Sequence, residues 1–183
     1  MKRIKFYLII PVLIVTMSFV VTQSWYVLTL KKYGCKMEFP VKPTQKDQKL
    51  NSAVGKLKMD MYTYEPAAQS MDANLVYLFN YTEYPSSEVN SSDKEALDTF
   101  FNNAINGAVG AVKGKLISKK DTPIGKYPGR EAKIDYQDGI AIITMRLYLV
   151  ENKLYMLETI AETKKDQNAS ITKFMNSFTL ISE

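Results

Sequence analysis

The sequence predicts an α+β protein: an antiparallel sheet of about six or seven strands, a long mid-chain helix and a C-terminal helix, layered as an α/β/α sandwich. Three observations predict it. After Tyr33, apolar and polar residues alternate through most of the chain, the period of half-buried strands. Between Ser92 and Gly114 the period changes to that of a helix. Asp138-Gly139 and Glu151-Asn152 stand between alternating runs, where tight reversals join neighbouring antiparallel strands.

The first element is not part of that pattern. Lys2, Arg3 and Lys5 precede 25 residues without a charged side chain, Phe6 to Leu30, before charge returns at Lys31 and Lys32. Residues 1–32 therefore read as an export signal or a single transmembrane anchor, and residues 33–183 as the folded domain. A cleaved signal needs small residues at the cut, and only Thr22 and Ser24 offer them, without an Ala-x-Ala. An anchor of this length spans about 37 Å as a helix, with Trp25 and Tyr26 at the outer headgroup level. Either way the basic flank keeps the N-terminus inside and places the domain outside the cytoplasm, in the cell envelope or secreted.

Those three basic residues also account for much of the net charge of +5. Without them, 21 of the 24 basic residues face 19 acidic ones, which does not suggest a nucleic-acid partner. The domain's basic doublets, Lys119-Lys120 and Lys164-Lys165, are far apart in sequence and read as solvated edges. Cys35 is the single cysteine, so no disulfide forms within one chain. Two lysines and a tyrosine separate it from the apolar run, which argues against lipidation; it alternates with Met37 and Phe39 as a buried strand residue.

The remaining elements follow in order. "CKMEF" alternates until "PVKP" forces an extended exit. "LKMDMYTY" sets Leu57, Met59 and Met61 against Lys58 and Asp60. "NLVYLFNYTEY" is apolar on both faces at its start, as a central strand covered on both sides requires. Ser92-Asp93-Lys94-Glu95 is a capping box, with Ser92 as N-cap. After it, Leu97, Phe100, Phe101, Ala104, Ile105, Ala108, Val109 and Val112 form one apolar stripe, which Gly114 stops. Gly107 and Gly110 inside this helix are expected to permit close packing. "KLISKKD" is a short edge-like strand. In "GKYPGREAKIDYQDG", Pro128 and Gly129 form a turn with positive φ at Gly129. "REAKIDY" then turns Ala132, Ile134 and Tyr136 inward, and a type I′ reversal at Asp138-Gly139 leads into "IAIITMRLYLV". A hairpin through Glu151-Asn152 follows, then a helix marked by Ile171, Phe174 and Met175, which the chain leaves at Phe178.

Little catalytic chemistry survives inspection. The chain has no histidine, which removes Ser-His-Asp and Cys-His catalysis and histidine metal ligation, and one cysteine cannot build a thiolate cluster. No glycine-rich nucleotide motif is present. No catalytic residue, cofactor or metal is therefore assigned. Asp135 and Asp138 lack the spacing and closing glutamate of a calcium loop and read as turn residues. Three Asn-x-Ser/Thr sequons, at Asn80, Asn90 and Asn168, read as incidental. Arg130, Glu131 and Tyr127 are the interaction candidates, because they sit at a turn exit beside a strand edge; a structural role is the plainer expectation for them.

Four stretches, "YGCKMEFPVKP", "GKYPGREAKIDY", "MRLYLVENKLYML" and "ITKFMNSFTL", resemble a group of exported bacterial proteins with the PsbP-like fold, which PsbP, an extrinsic photosystem II subunit, shares with the Ran-binding Mog proteins. The resemblance covers nearly all of residues 33–181 and departs at Cys35, where it calls for an aromatic or aliphatic residue. It implies an α/β/α sandwich that binds a protein or envelope component as a non-enzymatic accessory factor; it carries no site residue across, and no photosynthetic role follows from a fold alone. The alternative is a small-ligand or lipid carrier with a cleft between helix and sheet, lined by Tyr62, Tyr64, Tyr81 and Tyr84, although buried core is the plainer reading of those tyrosines. A hydrolase without histidine comes third.

Overall fold

The computed structural model describes residues 24–52 and 55–181. Seven antiparallel strands form the main sheet: β3 (Thr44–Ser52), β4 (Gly55–Tyr64), β5 (Asn74–Glu83), β6 (Lys115–Asp121), β7 (Gly129–Tyr136), β8 (Ala141–Val150) and β9 (Lys153–Glu162), in the order β3-β4-β5-β9-β8-β7-β6. Helix α1 (Lys94–Ala111) lies on one face. The other face is covered by helix α2 (Ala169–Ser177) together with a three-stranded sheet of β1 (Tyr26–Leu30), β2 (Cys35–Phe39) and β10 (Thr179–Leu180). The class is α+β, with two cores sharing one sheet.

Side-chain alternation builds both cores from the same strands. On β8, Ile143, Met145, Leu147 and Leu149 face Phe101 and Ile105 of α1, while Tyr148 and Val150 face the opposite core. That second core is aromatic: Tyr77, Phe79, Tyr81 and Tyr155 meet Phe39 of β2 and Phe174 of α2. Cys35, Met37 and Phe39 are all buried in it, as their alternation predicts. Ile171, Phe174 and Met175 are the buried residues of α2, whose N-cap Asn168 accepts from Ile171 N at 3.0 Å.

The structure moves several expected features. The small sheet places "CKMEF" outside the main sheet, and its first strand begins at Tyr26, so the folded domain starts before residue 33. Leu28 pairs with Met37 and Leu30 with Cys35, and the Trp25 ring meets Tyr77 edge-on at 5.9 Å. An apolar strand that continues an apolar run cannot be separated from it by hydropathy. The rest of the expected signal or anchor, up to residue 23, lies outside the described residues; among those described, no helix is long and apolar enough to cross a membrane.

Caps and turns shift by one or two residues. Asp93, not Ser92, caps α1, accepting from Ala96 N at 3.1 Å, while the Ser92 hydroxyl donates to Asn90 Oδ1 at 2.9 Å. The left-handed residue after α1 is Lys113, with φ 52°, and Gly114 N closes the motif on Val109 O at 2.9 Å. In the β7–β8 hairpin, positive φ begins at Gln137 (53°) and runs through Asp138 (52°) to Gly139 (92°), a longer loop than a two-residue reversal. Gly107 and Gly110 do not pack closely: a Cβ at either position would have no neighbour within 4 Å.

Candidate functional site

Gly129 organises the region of the three interaction candidates, though not as a positive-φ turn residue. It opens β7, and an added Cβ would press on Thr122 O, lie 2.6 Å from Tyr148 Cδ1 and 2.8 Å from Leu147 O. A side chain is excluded by contact. The reversal itself falls at Gly125, φ 55°, inside a two-way bridge in which Ile124 and Tyr127 exchange backbone hydrogen bonds of 3.0 Å. This clamp sets Tyr127 and Pro128 in front of β7.

From there the strand period separates Arg130 from Glu131. Arg130 points to the α1 face, stacks its guanidinium 5.2 Å from the Phe101 ring centre, and pairs with Asp98 of α1 and with Asp121 at 3.0 Å. Glu131 points to the α2 face, where Arg146 Nε donates to it at 2.9 Å and Lys120 pairs with it at 2.9 Å. Arg146 continues to Met175 O at 2.9 Å and so ties the C-terminus of α2 to the sheet. Burial alone raises the Glu131 carboxyl, but hydrogen bonds from Lys120 and Arg146 outweigh it and hold the group below the usual carboxylate range. Glu131 is a structural brace.

Arg130 and Tyr127 do share a surface, a shallow depression of about 440 Å³ where the first turns of α1 meet the loop before β7. Leu97, Pro123 and Pro128 give it an apolar floor, and exposed Lys94, Lys126, Asp98 and Asp121 give it a rim of both signs. Lys126 Nζ sits 5.2 Å from the Tyr127 ring centre. Ser91 borders the depression, but its hydroxyl accepts from Glu151 N at 3.0 Å and holds the β8–β9 turn. The surface offers aromatic, guanidinium and apolar contacts.

The remaining candidates disperse. Asp135 Oδ1 accepts from Gly139 N at 2.7 Å and Asp138 pairs with Lys115 at 2.8 Å, both serving the hairpin. Among the described residues no three His, Cys, Asp or Glu side chains gather as a metal site. Tyr62, Tyr64 and Tyr81 belong to the α2-side core, so they cannot line one cleft with Tyr84, which packs edge-on against Phe100 on the α1 side. A cleft between helix and sheet does exist, beside α1, and of those four tyrosines only Tyr84 borders it.

Sequence reasoning passed over Glu158 on β9, whose cross-strand neighbours are Leu78 and Met145. Burial pushes its carboxyl up to about 7. The folded chain thus holds this proton more tightly than the unfolded chain, where a glutamate titrates near 4.3. Its contribution to stability is complete below about pH 4 and is lost as pH rises through about 7. Glu158→Gln is expected to flatten that slope and to raise stability at pH 8 by about 1–2 kcal/mol, read from urea midpoints at pH 5 and pH 8.

No family model matches the chain, and no curated protein matches its sequence. Among solved structures the chain is similar to the solution structure of cyanobacterial PsbP (CyanoP) from Synechocystis sp. PCC 6803, at 14% sequence identity, over 91% of this chain and 98% of that chain, with a TM-score of 0.47.

Proposed function

We propose that the chain is an exported accessory domain, tethered to the membrane by its N-terminal segment, that recognises a protein or cell-envelope component and performs no chemistry of its own. The observation that carries this reading is the depression around Arg130 and Tyr127. Arginine and tyrosine are the residue types that concentrate binding energy at protein interfaces. Here the arginine is held rigid by Phe101, Asp98 and Asp121, so little side-chain entropy is lost on binding. An apolar floor within a rim of mixed charge matches the layout of an interface core and its polar border. The basic flank before the charge-free N-terminal segment supports placing this surface outside the cytoplasm.

Orientation is tested by labelling Lys126→Cys in intact cells, or in spheroplasts where an outer membrane is present, with a membrane-impermeant maleimide. The native thiol is a silent background: Cys35 is fully buried, and burial pushes it up to about 12. Labelling without lysis is the expected result. Labelling only after permeabilisation would place the domain in the cytoplasm and defeat the reading.

A further inference from the structure

The chain enters its fold without a spacer. Of the 25 charge-free residues Phe6 to Leu30, the seven from Ser24 to Leu30 belong to the described domain, where Trp25 already meets Tyr77 and β1 begins at Tyr26. That leaves 18 residues, 6–23, for an anchor. As a helix they would reach about 27 Å, no more than the hydrocarbon core of about 30 Å that an anchor must cross. A tether of that length holds the Trp25 end of the domain at the lipid headgroups.

Strand register shows what shares that end. Tyr26 pairs with Phe39 at the close of β2, Tyr64 at the close of β4 with Tyr77, Asn74 with Ala161, and Ala141 with both Tyr136 and Glu162. The 40–43 and 65–73 loops, the β7–β8 turn and the residues before α2 therefore gather there, and Asn168 Nδ2 donates to Asn74 Oδ1 at 2.9 Å. These segments leave apolar side chains in water: Met71 is wholly exposed, Ile140 63%, Leu75 47%, and Val41 and Tyr26 37% each. Among the described residues no large apolar side chain is so exposed at the opposite end, around Tyr127. Single exposed apolar residues are ordinary, but their concentration at one end of a sheet marks a contact surface.

Charge at this end suits lipid phosphates. Asp72, Asp138, Glu162 and Asp166 are taken by Tyr77, Lys115, Lys165 and Lys133, and Asp135 by Gly139 N. Among the described residues Lys42, Lys113 and Lys164 have no carboxylate partner, against Glu65 alone on the acidic side.

Resting on the tethered reading above, we infer that this end of the domain lies on the bilayer, with Met71 and Ile140 entering the headgroup layer. β8 runs ten residues, about 33 Å, from Ala141 at this end to Val150, which lines one surface with Tyr127. The recognition depression thus points away from the membrane, toward a partner.

The test uses the full chain in nanodiscs of phosphatidylcholine and phosphatidylglycerol that include a lipid with a nitroxide on its headgroup. Bimane is attached to Met71→Cys, to Ile140→Cys or, at the opposite end, to Lys126→Cys; Cys35 is fully buried and stays unlabelled. Loss of emission at 71 and 140, and none at 126, is expected, and Met71→Glu should restore emission at the 140 label. A chain that does not co-purify with the nanodiscs contradicts the tether and this inference together. A chain that does, with the 71 and 140 labels as bright as 126, overturns the inference and leaves the tether standing. Quenching that Met71→Glu leaves unchanged would mean that the tether alone brings this end near, and would overturn it too. So would disulfide-linked dimers of unlabelled Ile140→Cys without quenching of the labelled form, which assign the surface to a second copy.

Discussion

Gly129→Ala is expected to destabilise the fold by about 3 kcal/mol or more, lowering the thermal midpoint by about 6–12 °C. The new methyl group would meet backbone on two sides, Thr122 O and Leu147 O, and the Tyr148 ring on the third. None of these can withdraw freely. Thr122 N donates to Gly129 O at 3.0 Å, so moving that strand apart breaks the contact that starts β7. Leu147 belongs to β8 and is buried in the α1-side core. Gly110→Ala is the control: its Cβ enters open space in a helix and should be neutral or stabilising by about 0.5–1 kcal/mol. A Gly129→Ala midpoint equal to that of Gly110→Ala would show that the close approach is not a constraint. Because this contact also places Tyr127 and Arg130, the destabilised variant should lose partner recognition as well.

Phe174→Ala is expected to cost about 3–5 kcal/mol, the range for deleting a fully buried aromatic ring. Phe174 stands where three elements meet: its ring is 5.0 Å from Phe39 of β2 and 5.4 Å from Tyr77 of β5, both edge-on. Removing it loosens α2 from both sheets at once. Tyr77 is further fixed through its hydroxyl, which donates to Asp72 Oδ1 at 2.8 Å, so the sheet cannot collapse into the space. Hydrogen exchange should therefore quicken in β2 and α2 while β7 and β8, held from the other face by Phe101 and Ile105, keep their protection. Uniform acceleration across the chain would mean that the two cores do not unfold separately.

How much of this was legible depends on where each signal resides. Burial on one face writes itself as alternation, so the strands carrying Cys35, Met37 and Phe39, or Ala132 and Ile134, could be read directly. β3, "TQKDQKLNS", is wet along nearly its whole length at a sheet edge and left no such trace. The strand at Tyr26–Leu30 was hidden by the apolar run it continues. At the site, the period of two already implies that Arg130 and Glu131 face opposite ways, and their division between two helices follows from it. Their partners were not legible, because Asp98 and Arg146 arrive from elements 32 and 15 residues away. The tyrosines misled for a similar reason: their spacing does not say which of two apolar faces each one joins.

Partner recognition through the depression is tested most directly by site-specific photo-crosslinking in the cell. A benzophenone amino acid is placed at Lys126, on the rim of the depression, or at Lys49, exposed on the far edge strand β3. Recognition at this surface predicts a discrete protein adduct from Lys126 that is absent from Lys49 and is lost when Lys94→Glu reverses a rim charge. Equal adducts from both positions, or none from Lys126, would contradict it.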